Sequence, residues 1–273
     1  MGKYLFFDID GTLLSEVDLA VPGSAIKAIE MAKENGHLCF LCTGRSYYMT
    51  REIDYAGIDN AIIANGAAVV IDGKPALQKE IPQDIVKKTI DLVESLEGGY
   101  QIIDWKYGYQ NPRTHQAFAQ RFKKFFTEPV EEVFKKKNML TIDEMENNPV
   151  LKIDVTFDTQ EQADLFMKKM DPCLHFIPAG GYTSGFGAKA GEIMMQGVSK
   201  GAAIEDFMKS VGEPIDNAYA FGDSTNDIEM LKTAGTSIAM GNGAKEAKEA
   251  ADYITDTVEE DGIMNAMKHF ELI

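Results

Sequence analysis

The sequence predicts an α/β fold, a doubly wound parallel sheet into which a separate α+β segment is inserted. Two observations carry this. Short apolar runs alternate with helical patterns at both ends of the chain, which is the grammar of a parallel sheet covered by helices. Between them, roughly over 82–189, the pattern changes to half-exposed strands and amphipathic helices.

At the start, Leu5-Phe6-Phe7 is uninterruptedly apolar, as a strand covered on both faces requires. It runs into Asp8-Ile9-Asp10-Gly11-Thr12, so the two aspartates fall at a strand's C-terminal end, where open α/β sheets bind ligands. Side chains two apart on extended backbone leave on the same side. Two carboxylates facing one spot repel, which calls for a cation between them or a shared proton. Ala25, Ala28, Ile29 and Ala32 follow helical spacing, and Asn35-Gly36 ends that helix. A strand over Leu38 to Cys42 leads to Thr43-Gly44-Arg45, and another over Ala61 to Ala64 leads to Asn65-Gly66.

In the middle, Val86, Ile90 and Val93 mark a helix, and Gln101 to Trp105 and Tyr107 to Gln110 two strands around a turn. Leu151, Ile153, Val155 and Phe157 alternate with polar residues, so one face of this sheet is expected to be solvated. Ala163, Phe166, Met167 and Met170 give a helix, and Leu174 to Ile177 a further strand. Trp105 is expected in the core of this segment and His115 at a helix start. From about 190 the first grammar returns, with a helix from Lys200, a strand from Asn217 to Phe221 and a helix holding Ile228 and Leu231. Strands over Ser237 to Met240 and Asp252 to Ile254 follow. The predicted domains are 1–81 with 190–273, and 82–189.

The chain has 273 residues and is 45% hydrophobic, enough for a sizeable core. A net charge of −16 argues against nucleic acid, whose backbone demands clustered cations. Lys135-Lys136-Lys137 reads as a solvated helix end or loop. No apolar run is long enough for a membrane span, and no signal-peptide pattern precedes the first strand, so a cytoplasmic location is expected. Three cysteines make no disulfide framework; Cys39 and Cys42, three apart on a strand, face opposite ways and read as buried residues.

Four pieces fall at strand ends or helix starts: Asp8 to Thr12, Thr43 to Arg45, Lys200, and Gly222-Asp223-Ser224-Thr225-Asn226-Asp227. Together they suit phosphoryl transfer. Thr43's hydroxyl and helix-terminal amides can cradle an anion. Lys200 can neutralise charge on a transferring phosphoryl group. Asp8 and Asp223 are hard oxygen donors suited to Mg²⁺. One carboxylate can attack phosphorus, and another can pass a proton to the leaving oxygen.

These motifs resemble the four signatures of the haloacid dehalogenase superfamily, in its Cof-type phosphatase subgroup. Asn65-Gly66-Ala67, Gly241-Asn242 and Asp261-Gly262 also fit that subgroup. The resemblance implies a Rossmann-like core with an inserted α+β cap domain. It implies Asp8 as nucleophile and Mg²⁺ ligand, and Asp10 as acid/base and Mg²⁺ ligand through its carbonyl. It further implies Thr43, Gly44, Lys200 and Asn226 as phosphate contacts, Asp223 as a Mg²⁺ ligand and Asp227 as support. The expected activity is hydrolysis of small phosphate monoesters, sugar phosphates foremost, through an aspartyl-phosphate. A phosphomutase of the same superfamily and a non-catalytic receiver are the competing readings. The expected partner is a small phosphorylated metabolite; the oligomeric state is left open. Arg45 and the loop Gly180 to Gly187, with Tyr182, Thr183 and Phe186, are candidate substrate contacts.

Overall fold

The structure is a computed structural model and describes residues 2–178 and 189–273. The loop residues Tyr182, Thr183 and Phe186 lie outside the described residues. The chain opens with β1 (Tyr4–Phe7), α1 (Gly23–Glu34), β2 (Leu38–Cys42), the single turn α2 (Tyr47–Thr50), β3 (Asn60–Ile63), β4 (Ala68–Ile71) and β5 (Lys74–Gln78). It continues through α3 (Gln83–Ser95), β6 (Gly99–Ile103), β7 (Gly108–Gln110), α4 (Pro112–Phe122) and α5 (Val130–Lys136). Then come β8 (Met139–Thr141), β9 (Lys152–Thr156), α6 (Gln160–Lys169), β10 (Leu174–Pro178) and β11 (Ala190–Met195). It closes with α7 (Lys200–Ser210), β12 (Ala218–Gly222), α8 (Ile228–Thr233), β13 (Thr236–Ala239), α9 (Lys245–Ala250), β14 (Tyr253–Ile254) and α10 (Gly262–His269). None of the described helices is long and apolar enough to cross a membrane.

The chain divides into two compact units. The first holds residues up to 45, 51–77 and 197–273; the second holds 46–50 and 78–196. In the first, the strands run in the order β14-β13-β12-β1-β2-β3-β4-β5. Among the described residues, every pairing from β14 to β3 is parallel. The order reverses between β1 and β12, because β1, β2 and β3 build outward one way and β12, β13 and β14 the other. Such a reversal opens a crevice at the strands' C-terminal ends.

One face of this sheet, with Phe6, Phe40, Cys42, Ala218 and Ala220, packs against Ile204, Phe207 and Met208 of α7 and Met230 and Leu231 of α8. Side chains alternate along a strand, so Phe7 and Phe221 belong to the opposite face, where their rings stack at 4.6 Å. Cys39 and Cys42 are buried, and burial pushes both thiols up, Cys39 to about 12. Such thiols stay protonated and inert. Strands β4 and β5 were not anticipated from the sequence. The chain doubles back after β3 because Asn65 and Gly66 both take positive φ (52° and 101°), and β4 returns antiparallel to β3.

The second unit is a six-stranded sheet in the order β10-β11-β9-β6-β7-β8, antiparallel but for the parallel β7–β8 pair. Ile85, Val86 and Val93 of α3 and Ala163 and Phe166 of α6 pack on Tyr100, Ile102, Tyr109, Ile153, Val155 and Ile193. The opposite face departs from the expected solvated surface: Gln101, Gln110 and Lys152 are all buried there. Helix α4 accounts for part of this, since Thr114 Oγ1 lies 2.6 Å from where a Cβ on Gly99 would stand. That helix is capped by Asn111, whose side chain accepts from the Thr114 N–H, and Pro112 follows at the first turn. His115 lies in the first turns of α4, and Lys136 and Lys137 end α5. Trp105 is not a core residue: it is half-buried, with Tyr47 and Lys106 beside its ring.

Candidate active site

Three neighbouring parallel strands end at three of the polar pieces. Asp8 follows β1, Thr43 follows β2 and Asp223 follows β12. The register Phe221–Phe7–Leu41 sets these ends level, and the Asp8 N–H continues the ladder to the Phe221 carbonyl at 2.9 Å. The switch point of the sheet therefore carries Asp8 on one side and Asp223 on the other.

Lys200 enters this arrangement from the first residue of α7. Ser199 caps the helix, its hydroxyl accepting from the Ala202 N–H at 3.1 Å. The Lys200 ammonium donates to Asp8 Oδ1 and to Asp227 Oδ1, each at 2.6 Å, and its side chain is fully buried. Burial alone would lower its pKa, but Asp227 and Asp8 outweigh that and hold it above the ordinary lysine value. Asp227 in turn is saturated: Oδ2 accepts the N–H groups of Asp223 and Ser224, both at 3.0 Å. It ties the loop after β12 to Lys200.

Asp8 and Asp223 carry the opposite imbalance. Burial raises the Asp8 pKa well above the carboxylate range, with repulsion from Asp227 and Asp223 adding to it and Lys200 opposing. Burial, then Asp227, pushes Asp223 up to about 7. Asp223 Oδ1 accepts from the Thr12 hydroxyl at 2.8 Å. Gly11 makes the close approach of the two loops possible. It has φ +84°, and a Cβ there would stand 2.5 Å from Asp223 Oδ2.

Asp8, Asp223 and Asp227 offer carboxylate oxygens within 4.8 Å of one another. Since Asp227 is committed to Lys200 and two amides, Asp8 and Asp223 are the pair left to share a cation. Buried hard oxygen donors whose charges are held unfavourably fit Mg²⁺, whose binding removes that penalty.

Asp10 does not join this cluster. Strand β1 stops at Phe7, and the N–H groups of Thr12, Leu13 and Leu14 fold back onto the Ile9 carbonyl. The backbone is no longer extended between Asp8 and Asp10, so the same-side rule does not hold there. The Asp10 carboxylate, half exposed, takes Arg45 Nε at 2.9 Å and Arg45 Nη2 beside it. This is the two-pronged geometry of guanidinium and carboxylate.

Thr43 is buried, and its hydroxyl accepts the Arg45 N–H at 3.1 Å. Beyond it sits Asn65, of the Asn65-Gly66-Ala67 mark of the subgroup, whose task the motif alone does not reveal. Its N–H donates to the Thr43 carbonyl at 3.0 Å, its Oδ1 lies 2.9 Å from where a Cβ on Gly44 would be, and Asn226 Nδ2 is 3.4 Å from that oxygen. Asn65 thus links the second polar piece to the fourth. Asn242 ties the first piece to the segment before α10, donating to the Gly11 carbonyl at 2.8 Å while accepting from the Val258 N–H. The signal for Asn65 was an Asn-Gly pair directly after a strand, which needs positive φ.

Comparison with known proteins agrees with this architecture. A family profile described as haloacid dehalogenase-like hydrolase matches residues 5–267. The putative phosphatase YkrA of Bacillus subtilis (strain 168) is 27% identical over 100% of this chain and 99% of its own. The pyridoxal phosphate phosphatase YbhA of Escherichia coli (strain K12) is 26% identical, covering 92% of each. The solved structure of a HAD subclass IIB sugar phosphatase is 28% identical over 99% of this chain and all of its own, with a TM-score of 0.74. The chain belongs to the haloacid dehalogenase-like hydrolases, in their Cof-type phosphatase subgroup.

Proposed function

We propose that this enzyme is a Mg²⁺-dependent phosphatase of small phosphate monoesters, sugar phosphates foremost, working through a phosphorylated Asp8. The observation that carries this reading is the buried Lys200 shared between Asp8 and Asp227 at the switch point of the sheet. A lysine there orients the Asp8 carboxylate and supplies fixed positive charge where a phosphoryl group would gather negative charge. The sugar specificity of one relative and the pyridoxal phosphate specificity of another support a small phosphorylated metabolite as substrate.

In this reading an Asp8 oxygen attacks phosphorus while the bond from phosphorus to the leaving oxygen breaks. Asp10 gives its proton to that oxygen, then takes one from the water that cleaves the Asp8–phosphorus bond and frees phosphate. Asp10 must exchange its Arg45 partner for the substrate to do so. Thr43, Gly44, Lys200 and Asn226 hold the phosphoryl oxygens. Asp8, Asp223 and the Asp10 carbonyl would hold Mg²⁺, which offsets the charge gathered between phosphate and carboxylates. Residues 82–189 would serve as a cap that selects the leaving group.

Phosphate release from a panel of phosphorylated metabolites tests this. Release with Mg²⁺ that stops in EDTA is the expected result. Undiminished release in EDTA would refute the metal assignment, and an isomeric phosphate in place of free phosphate would point to a mutase.

A further inference from the structure

Tyr55 is among the largest fully buried side chains, 2% exposed, and its hydroxyl has no hydrogen-bond partner. The segment that carries it is tied down at several points. Arg51 donates to Asp59 Oδ1 at 2.8 Å and to the Ile58 carbonyl at 2.9 Å. The Gly57 N–H donates to Asp54 Oδ1 at 2.8 Å, and the Ile58 N–H to the Tyr55 carbonyl at 3.2 Å. Ala56 and Gly57 both take positive φ (56° and 62°), and their carbonyls accept from the Lys33 ammonium at 3.1 and 3.0 Å.

These ties fix where the Tyr55 ring stands. Packing does not call for its hydroxyl, because phenylalanine would fill the same space and leave no buried group unsatisfied. A native structure leaves such a group unpaired where ordered water or a catalytic task completes it. Burial pushes the phenol up to about 12, with Arg45 opposing and Asp10 adding to it. It therefore stays protonated and offers both a donor and an acceptor. Among the charged groups that act on it, Arg45 comes first and Asp10 second.

Arg45 is the group in want of a second acceptor. Its side chain is 18% exposed, and Nε and Nη2 both donate to Asp10. In the proposed reaction Asp10 must leave this pair to protonate the departing oxygen. Stripping an enclosed guanidinium of its carboxylate is costly, so Asp10 stays held unless another acceptor takes over. Tyr55, Arg45 and Asp10 all belong to the first unit.

We propose that Tyr55 is the positioning residue of this exchange: its hydroxyl oxygen accepts an N–H of Arg45 as Asp10 turns to the leaving oxygen. The inference rests on the phosphatase reading above. Asp10 alone handles the proton, and Tyr55 acts through Arg45. Its effect is therefore greatest on esters whose leaving oxygen must be protonated.

The test uses single-turnover kinetics, which read the phosphorylation of Asp8 apart from later steps. Maximal rates and half-saturating concentrations are compared for a hexose phosphate and p-nitrophenyl phosphate. The proteins are the full-length wild type, Tyr55→Phe, Arg45→Ala and the double variant. A hydrogen bond to a charged group is worth about tenfold in rate. In Tyr55→Phe the ratio of maximal rates, hexose over aryl, should fall by about that factor, with half-saturation by the hexose ester unchanged. Without Arg45 there is no pair to open, so adding Tyr55→Phe to Arg45→Ala should leave the ratio where Arg45→Ala set it. An unchanged ratio in Tyr55→Phe would overturn the proposal. So would a fall of the same size in the Arg45→Ala background, which would assign the hydroxyl to ordered water or to packing. A wild type inactive on both substrates would remove the phosphatase reading and this inference with it; an active wild type with independent, additive variants would remove this inference alone.

Discussion

Lys200 and Asp8 meet at 2.6 Å although 192 positions separate them, and the contact is wholly enclosed by protein. Taking these charges out of water is costly, and only their pairing, with Asp227 as the third member, offsets it. Lys200→Met would keep the stem and remove the charge, leaving two buried carboxylates facing each other. Breaking a buried pair from one side costs roughly 3–5 kcal/mol. The denaturation midpoint should fall accordingly and phosphate release should be lost. An unchanged midpoint would show that Asp8 and Asp227 do not depend on this lysine.

A second prediction concerns pH. Asp223 has a folded pKa pushed up to about 7 by burial and by Asp227, against roughly 3.9 in an unfolded chain. Between those values the folded protein holds a proton that the unfolded chain has released. Stability of the metal-free protein should therefore fall as pH rises from about 4 to about 7, by an amount on the order of 4 kcal/mol at most. Asp8, raised by the same causes, adds to the slope in the same direction. Mg²⁺ competes with that proton, so its stabilisation should be larger at pH 7.5 than at pH 5. Melting curves in EDTA and in Mg²⁺ at the two pH values measure this. A Mg²⁺ increment that is equal at both would count against Asp223 as a ligand.

A third follows from Gly66, whose φ is +101° and whose missing Cβ would stand 2.1 Å from the Ser199 carbonyl oxygen. Gly66→Ala would push on the cap of α7 and so on Lys200, the next residue. Overpacking costs roughly 1–3 kcal/mol, and strained positive φ about 1–3 more. Melting temperature and kcat should fall together in this variant. Full activity in a destabilised protein would show that the start of α7 moves without disturbing Lys200.

The parallel sheet was legible because its signals are local. Leu5 to Phe7, Leu38 to Cys42 and Ala61 to Ala64 are apolar runs closed by Asp, Thr or Asn, and each falls on a strand. Strands β4 and β5 were missed because their cue is a change of backbone sign at Asn65 and Gly66, which leaves hydropathy untouched. The extents of α4 and α5 were not read: only His115 marked a helix start and Lys135 to Lys137 a helix end or loop. The rings of Phe118 and Phe122 of α4 meet at a tilt, as do those of Phe122 and Phe134 of α5. Alternation in β9 was read correctly, but it says only which residues are polar. That Lys152 is buried depends on Asp154 beside it and Glu192 from another strand. Within the site, spacing along the chain grouped Asp8 with Asp10. The turn after Phe7 instead sends Asp8 to Lys200 and Asp10 to Arg45.

That divergence separates the two aspartates experimentally. In the proposed mechanism Asp8 attacks in every turnover, so Asp8→Asn should abolish hydrolysis whatever the leaving group. Asp10 has the narrower task of protonating the departing oxygen, which a sugar alkoxide needs and an aryl oxide needs much less. General acid catalysis is worth roughly 10²–10⁴-fold. Asp10→Asn should therefore slow a sugar phosphate by about that factor and p-nitrophenyl phosphate far less, where phosphorylation of Asp8 limits the rate. Because Asp10 also activates the water, the variant should accumulate phosphorylated Asp8 on the aryl substrate. Mass spectrometry of the quenched enzyme would detect the adduct. The Arg45 contact adds a control: Arg45→Ala frees the Asp10 carboxylate but leaves its chemistry in place, so it should not reproduce the leaving-group dependence of Asp10→Asn. If Asp8→Asn kept activity while Asp10→Asn lost it on every substrate without an adduct, the two roles would have to be exchanged.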